Sequence, residues 1–317
     1  MHTILHVSDI HAGQPFRPDL AELVHLEANE LNPDVVVVSG DLVQHEYVDQ
    51  YQRARRWLDG FKQPLIVIPG NHDVPFRNPI DRFLRPMEKF RRYVEPDPNP
   101  FFYQGDLAVL GLNSTRSFTI KGGKLGEQEL NVVREKFKSL PPQVCRVITA
   151  HHHFAPPPGF GSQSVIADAK HAIHVMEECD VDLILSGHMH VAYIGNTLDF
   201  YPTSKRGIII VQCGTTTSAR GKQREKGKNS FNVIRVHDRH ISITHHLYNS
   251  ERKRFLPMSR HLFPRRLPGE YYLRVEETAA TEAATSIMEK KVQVEVQQKI
   301  EAKNEVQDAP TAVASES

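Results

Sequence analysis

The feature that most constrains the fold is the stretch 35–41, which reads Val-Val-Val-Val-Ser-Gly-Asp. Four consecutive β-branched apolar residues predict a short strand buried on both faces, as in a sheet covered by helices. Gly40 allows a sharp turn that leaves Asp41 at the carboxyl end of this strand. Ligands of open α/β sheets bind at this end, although an aspartate there can also simply cap a turn. The stretch therefore predicts an α/β sheet with Asp41 at its binding edge.

Polar side chains follow four further predicted strands at the same point. These strands are predicted at 3–7, 65–68, 145–149 and 183–185. Together with Asp41, the side chains at the carboxyl ends are Asp9, His11, Asn71, His151, His188 and His190. Carboxylate, amide and imidazole groups without thiolate suit divalent ions such as Mn²⁺, Fe or Zn²⁺. The set is too large for one catalytic ion with an open position, and it fits two ions that share a carboxylate.

Composition and length narrow the class of protein. The chain has 317 residues, enough for one large α/β domain or two ordinary ones, and its 39 Lys plus Arg nearly cancel its 38 Asp plus Glu. A global charge for binding polyanions is therefore excluded, although local basic patches are not. The chain begins on a predicted strand rather than a signal peptide, and no apolar run reaches the ~20 residues of a membrane helix. Three isolated cysteines predict free buried thiols and a cytoplasmic protein without a membrane partner; they are Cys145, Cys179 and Cys213.

The remaining pattern predicts alternating strands and helices followed by a basic arm and a tail. Apolar stripes predict helices from about residue 19, around 51–61, over 127–138 and from about 168. Further strands are predicted at 108–112, 207–212, 232–236 and 240–248, and the segment 76–100 is interpreted as a loop with a short helix. We therefore expect a catalytic domain at 1–250, a basic proline-containing arm at 251–275, and a tail at 276–317 that does not fold by itself.

The ordered blocks of polar residues resemble those of the calcineurin-like metallophosphoesterase superfamily. The blocks are Asp9-x-His11, Gly40-Asp41, Gly70-Asn71-His72-Asp73, His151 and Gly187-His188-x-His190. The Gly-Asp-Leu and Gly-Asn-His-Asp surroundings are similar to bacterial class III cyclic-nucleotide phosphodiesterases. The resemblance spans roughly residues 3–248. It implies two mixed β-sheets packed as a sandwich, with helices outside.

The resemblance also implies a role for each side chain. The expected ligands are Asp9, His11 and His190 for one ion, Asn71, His151 and His188 for the second, and Asp41 as the bridge. His72 would lie over the phosphorus as general acid or transition-state stabiliser, and a water shared by the two ions would be the nucleophile. Within the run 151–153 the register stays open by one or two residues. No chemical role is assigned to His45, His152 or His153.

The leading hypothesis is a dinuclear metal-dependent phosphodiesterase acting on a small phosphodiester, with 3′,5′-cyclic nucleotides as a candidate class. Asn113, Arg116 and Arg220 are candidate substrate contacts, against the alternative that they are ordinary solvated residues. A phosphomonoesterase or a nuclease of the same superfamily is a second hypothesis, and the basic arm is the feature that favours nucleic acid. A non-catalytic scaffold of the same fold is the third. The sequence does not determine the metals or the oligomeric state.

Overall fold

Two six-stranded mixed β-sheets pack face to face, and helices cover the outer faces. The structure is a computed structural model that describes residues 1–76, 78–119, 122–160, 165–201 and 207–265. This architecture confirms the predicted α/β sandwich of mixed sheets with flanking helices.

The first sheet brings three polar strand ends to one edge. Its strands are β1 (His2–Val7), β2 (Val35–Val38), β3 (Leu65–Val67), β10 (Ser230–Val236), β11 (His240–Asn249) and β12 (Arg254–Pro264). They lie in the order β12-β11-β10-β1-β2-β3. β1, β2 and β3 are parallel, so their carboxyl ends meet at the same edge of the sheet.

The second sheet is parallel at its centre and antiparallel at both edges. Its strands are β4 (Phe101–Gln104), β5 (Leu107–Leu112), β6 (Cys145–Ala150), β7 (Leu183–Ser186), β8 (Tyr193–Asn196) and β9 (Ile209–Gln212). They lie in the order β4-β5-β6-β7-β9-β8. β5, β6, β7 and β9 run in parallel, which places the residues after β6 and β7 side by side.

Six α-helices are present in the described residues. They are α1 (Pro18–Leu31), α2 (Val48–Leu58), α3 (Pro79–Leu84), α4 (Glu88–Tyr93), α5 (Glu127–Lys138) and α6 (Ala169–Glu178). Proline in the first turn starts α1, and Asn32 in the left-handed conformation ends it. In the part of the chain that the structure describes, none of them combines the length and hydropathy of a membrane span.

Burial on both faces of the central strands explains their apolar runs. In β2, Val35 and Val37 pack between the two sheets, whereas Val36 and Val38 pack toward α1 and α2. The second sheet repeats this pattern, since Val109 faces the first sheet while Leu110 packs toward α5 and α6. Each of these strands is therefore fixed in register by two apolar layers.

Three strands and one helix lie where the sequence analysis did not predict them. β4 and β8 were not predicted, and the segment 76–100 contains two short helices, α3 and α4, rather than one. Part of the expected arm is β12, which pairs antiparallel with β11 and buries Phe255 to 2% exposure. The first sheet thus continues beyond residue 250. The rest of the arm from residue 266, and the tail at 276–317, lie outside the described residues.

Candidate metal centre

The seven predicted ligands converge in two groups. In the first group, Nε2 of His190 lies 3.0 Å from Oδ1 of Asp9 and 3.2 Å from Nε2 of His11. These side chains come from the loops after β1 and β7, on different sheets. Asp9, His11, Asp41 and His190 each offer one ligand atom, all within 4.8 Å of one another, and all are buried. This cluster could hold a metal ion.

The second group consists of Asn71, His151 and His188. Oδ1 of Asn71 lies 3.1 Å from Nε2 of His151 and 2.9 Å from Nδ1 of His188. The two imidazole nitrogens are 3.3 Å apart. Loops after β3, β6 and β7 supply these three side chains, as the strand-end rule predicts.

Asp41 lies between the two groups. Its Oδ2 is 3.7 Å from Nε2 of His11, and its Oδ1 is 3.4 Å from Nε2 of His151. The backbone N–H of His72 donates a hydrogen bond to Oδ1 at 2.9 Å, which holds the carboxylate in place. The two oxygens of one carboxylate therefore face different groups of ligand atoms.

The ligand-bearing loops adopt a backbone conformation that is uncommon for residues other than glycine. Asp9, His11, Asp41, His188 and His190 all have positive φ angles, between 49° and 72°. Such conformations cost free energy, and they persist where the surrounding structure holds them. Five of the ten such residues in the described part of the chain lie in these loops, which favours a functional role for the loops.

Backbone carbonyl groups orient two of the imidazoles. Nδ1 of His151 lies 2.8 Å from the carbonyl oxygen of Ser39, and Nδ1 of His190 lies 3.0 Å from that of Arg220. Because a carbonyl oxygen only accepts, Nδ1 carries a proton, so the lone pair of the neutral ring lies on Nε2, which is directed into the cluster. This pattern is typical of histidines that bind metal ions.

The pKa shifts leave most of the site ready to bind a cation. Burial, followed by the charge of His190, holds the pKa of His11 well below its ordinary value. Burial alone would raise the pKa of Asp9, but His190, His151 and His11 outweigh it and hold this pKa well below its usual range. Burial would lower the pKa of His151, but the charges of Asp41 and Asp9 raise it. A cation would neutralise those two carboxylates and remove this effect.

The donor set fits bound metal. Potential ligand atoms lie 2.9–3.4 Å from one another in and between the two groups. Ligand atoms around an ion with bonds of ~2.0–2.2 Å are spaced by about 3.0–3.5 Å, so the two spacings match. Oδ1 of Asp9 is buried and accepts no hydrogen bond from the described residues. An oxygen of this kind needs a positive partner, because burial has removed its water.

His72 and Arg220 line the same centre. Nδ1 of His72 donates to the carbonyl oxygen of Gln44 at 2.9 Å, so its Nε2 faces the guanidinium of Arg220 at 3.3 Å. The same Arg220 nitrogen donates to Oε1 of Gln44 at 2.6 Å and lies 3.5 Å from Nδ1 of His11. A positive charge and an imidazole thus lie side by side at the cluster of predicted ligands.

The other two candidate substrate contacts have protein partners. Oδ1 of Asn113 accepts hydrogen bonds from the backbone N–H and the hydroxyl of Thr115. The guanidinium of Arg116 forms a salt bridge of 2.7 Å with Glu129 and also donates to the carbonyl oxygen of Thr115. Of the three candidates, Arg220 is the one that the structure brings to the predicted ligands.

The three histidines of the run 151–153 make different contacts. His151 follows β6 directly and points its Nε2 into the second group. Nδ1 of His152 lies 2.9 Å from Oγ of Ser114, and the ring of His153 stacks on His188 with centroids 5.9 Å apart. The geometry therefore favours the first histidine of the run as the ligand and the other two as packing around it.

Two residues of the site were not found from the sequence. Asp73 accepts hydrogen bonds from the backbone N–H groups of Leu42, Val43 and Gly70, and so ties together the loops after β2 and β3. Gln44 contacts both His72 and Arg220. Asp73 lies within the Gly-Asn-His-Asp block, which is a signal that could have identified it. Gln44 has none beyond its nearness to Asp41 in the sequence.

Comparison with known sequences identifies the family. The family model described as calcineurin-like phosphoesterase matches residues 2–192. The 3′,5′-cyclic adenosine monophosphate phosphodiesterase CpdA of Haemophilus influenzae is 24% identical over 168 residues, which cover 53% of this chain and 57% of that protein. The glycerophosphodiester phosphodiesterase GpdQ of Enterobacter lignolyticus is 40% identical over 73 residues, 23% of this chain and 24% of that protein. The chain thus spans less than two thirds of either relative.

A further relative and one solved structure agree with this match. A Moraxella catarrhalis protein named "Probable cyclic nucleotide phosphodiesterase" is 28% identical over 229 residues, which cover 67% of this chain and 78% of that protein. A dimetal phosphatase from Danio rerio shares the fold, with a TM-score of 0.58 at 12% identity, over 83% of this chain and 98% of that chain. Because the family match covers more than half of the 317 residues, the chain belongs to the calcineurin-like phosphoesterase family.

Proposed function

We propose that the protein is a dinuclear metal-dependent phosphodiesterase that hydrolyses small phosphodiesters, with 3′,5′-cyclic nucleotides as the leading substrate class. The observation that carries this proposal is the position of Asp41. Its two oxygens face His11 and His151, at 3.7 Å and 3.4 Å, in two different groups of ligand atoms. A carboxylate in that position can bridge two ions.

The proposed ligands divide as the two groups do. Asp9, His11 and His190 would hold one divalent ion, Asn71, His151 and His188 the other, and Asp41 would contact both. When bound, the two ions would supply an activated water and neutralise the charge of the phosphoryl group. Mn²⁺, Fe and Zn²⁺ all suit ligands of this chemistry.

His72 and Arg220 would act on the phosphoryl group directly. Nε2 of His72 and the guanidinium of Arg220 are 3.3 Å apart, so both can contact one substrate oxygen or two adjacent ones. Arg220 would neutralise charge on a non-bridging oxygen through a charge-assisted hydrogen bond. His72 would donate a proton to the leaving oxygen from Nε2, while Gln44 keeps the ring oriented through Nδ1.

The names of the relatives support the substrate class. CpdA of Haemophilus influenzae is a 3′,5′-cyclic adenosine monophosphate phosphodiesterase, and the Moraxella catarrhalis protein is named for cyclic nucleotides. GpdQ, by contrast, is named for glycerophosphodiesters. All three substrate types are small phosphodiesters, which is the chemistry they share.

Metal content and turnover test the proposed centre together. We expect the purified protein, reconstituted with Mn²⁺, to bind two ions per chain by elemental analysis and to hydrolyse bis-para-nitrophenyl phosphate. Asp41→Asn keeps the size of the side chain but removes its charge, so both metal content and turnover should fall. A chain without bound metal, or full turnover by Asp41→Asn, would refute the dinuclear assignment.

Two further variants separate proton transfer from metal binding. His72→Ala should lower kcat by roughly 10²–10⁴-fold at unchanged metal content, because it removes only an acid–base group. Arg220→Met should lower kcat/KM, again with both ions retained, because it removes a phosphoryl contact. His45→Ala is the matched control, since His45 lies in the neighbouring loop and rests against Tyr47, 5.8 Å between ring centroids.

A substrate panel tests the class. We expect cyclic nucleotides and other small diesters to be hydrolysed faster than phosphomonoesters or single-stranded DNA. Preference for a monoester or for DNA would assign the same centre to the other enzymes considered in the sequence analysis, and would overturn the phosphodiesterase proposal.

A further inference from the structure

A separate cavity lies beside the loop that carries Arg220. Its volume is about 460 Å³, and its walls come from β8, β11, β12 and the loop 223–228. Small-molecule sites usually have volumes of roughly 300–1,000 Å³. None of the seven predicted ligands lines this cavity, so it is distinct from the metal centre.

Two cations line the cavity. The guanidinium of Arg224 is anchored by a hydrogen bond to the carbonyl oxygen of Ala192. Lys228 is exposed and forms no salt bridge with any residue that the structure describes. Both belong to one short loop, in which the backbone N–H of Lys228 bonds to the carbonyl oxygen of Glu225. Two cations that line one cavity suit a dianionic group better than a single negative charge.

The carboxylate at the cavity, that of Glu225, is hydrogen-bonded to other residues of the chain. Glu225 is 4% exposed, and its two oxygens accept hydrogen bonds from the backbone N–H of Ala192 at 2.7 Å and from Oγ of Ser230 at 2.9 Å. His245, 3.8 Å from this carboxylate, is neutral near pH 7, because burial lowers its pKa to about 4. The accessible charge of the cavity is therefore positive.

The rest of the wall is mainly apolar or aromatic, and Ser259 and His261 are its further polar residues. Tyr193 and Ile194 of β8, Leu247 of β11 and Met258 of β12 all line the cavity. Met258 is 63% exposed, so its side chain offers apolar surface at the cavity. A planar or apolar group would bury this surface, while the cations bind its charge.

We propose that this cavity is a second binding site, which takes a phosphomonoester carried on a planar or apolar body, such as a nucleoside monophosphate. The dianion would lie against Arg224 and Lys228, and the body would lie between Tyr193 and Met258. The inference goes beyond the proposed reaction, because none of these residues takes part in it.

The same loop connects the cavity with the metal centre. At one end Arg220 contacts His72 and receives the Nδ1 hydrogen bond of His190, and the backbone N–H of Lys222 bonds to the carbonyl oxygen of His190. Three residues further on, the loop forms the 3₁₀ turn Gln223–Glu225 at the cavity. A ligand held by this loop would therefore contact a segment that also orients a predicted metal ligand.

Calorimetric titration of the full, metal-reconstituted chain with 5′-AMP tests the proposal. Lys228→Glu reverses one of the two charges, and Lys226→Glu is its control, since Lys226 is exposed on the same loop but does not line the cavity. Ser259→Trp fills the cavity from an exposed position of β12, and Arg260→Trp is its control on the next residue. Adenosine and inorganic phosphate are titrated as the two halves of the probe.

We expect 5′-AMP to bind wild-type protein and both controls alike, and to bind Lys228→Glu and Ser259→Trp at least tenfold more weakly. Adenosine and phosphate alone should each bind at least tenfold more weakly than 5′-AMP. No binding, or equal binding to all variants as expected if only the metal centre is occupied, would overturn the proposal, as would phosphate that binds as well as 5′-AMP. If instead the proposed phosphodiesterase function is wrong, the wild-type protein will not hydrolyse diesters, but 5′-AMP will still bind in this titration.

Discussion

At the scale of single residues, the site depends on close approaches that leave no room for a side chain at two glycines. A Cβ at Gly70 would collide with Oδ1 of Asp41, and a Cβ at Gly187 would collide with Oγ of Ser8 and lie 2.5 Å from Oδ2 of Asp9. The backbone of Gly187 is not among those with positive φ. The requirement for glycine at position 187 is therefore one of space rather than of backbone conformation.

Gly187→Ala should consequently damage the metal centre without unfolding the chain. The added methyl group would push Asp9 from its position, so we expect metal affinity to fall by roughly 10- to 100-fold, as for changes to groups that orient metal ligands. Metal titration of the apoprotein measures this directly. Gly122→Ala is the control, since its Cβ would meet nothing closer than 3.5 Å. Equal affinities in the two variants would contradict the prediction.

The convergence of the predicted ligands could be expected from the sequence because strand ends are local features. A run of buried β-branched residues predicts the strand, and the next polar residue is then at the sheet edge, as for Asp41 after β2. Contacts between loops are not local. Gln44 reaches Arg220, which lies 176 positions later, and this contact depends on how two loops fold over the site. Residue types alone could not predict that pairing, or that Arg116 would be bound by Glu129.

At the scale of elements, all three strands missed by the sequence analysis are edge strands. β4 and β8 are the two edges of the second sheet, and β12 is an edge of the first. A central strand is covered on both faces and shows a continuous apolar run, whereas an edge strand has one neighbour and a mixed composition. β12 carries basic residues and prolines at many positions, as edge strands often do, and this composition was interpreted as an arm.

The role of β12 in the fold can be tested with one apolar side chain. Phe255 is 2% exposed and packs against Phe231, with ring centroids 4.6 Å apart. Phe255→Ala should lower the free energy of unfolding by about 3–5 kcal/mol, the usual cost of removing a buried aromatic ring. Leu262→Ala, on the same strand but 63% exposed, should change it by less than about 0.5 kcal/mol. Urea denaturation measures both, and equal small effects would indicate an arm that lies in solvent.

At the scale of the whole molecule, the sandwich also buries histidines that are not predicted ligands. His6, near the carboxyl end of β1, is fully buried, and its Nε2 lies 3.0 Å from Oγ of Ser39. Its Nδ1 has no hydrogen-bond partner among the described residues. Burial, opposed in part by Asp9, lowers the pKa of His6 to about 3, and burial also lowers the pKa of His246 to about 4. In mildly acidic solution the folded chain thus keeps these imidazoles neutral, whereas the unfolded chain binds a proton at each of them.

The free energy of unfolding should therefore decrease in acid, and the two pKa values of His6 define the pH range of this decrease. Because the pKa of His6 is about 3 in the folded chain and about 6.5 in the unfolded chain, the unfolded state takes up the proton first as the pH decreases. The contribution of His6 is constant above about pH 6.5, and each pH unit from there down to about pH 3 lowers the free energy of unfolding by up to about 1.4 kcal/mol. His6→Gln removes this proton uptake, so its urea-denaturation free energy should vary less steeply between pH 6 and 4 than that of the wild type, by about one proton. His174→Gln, on an exposed face of α6, should keep the wild-type slope. Metal loss in acid affects all three proteins alike, so parallel slopes for wild type and His6→Gln would mean that His6 is not buried neutral in the folded chain.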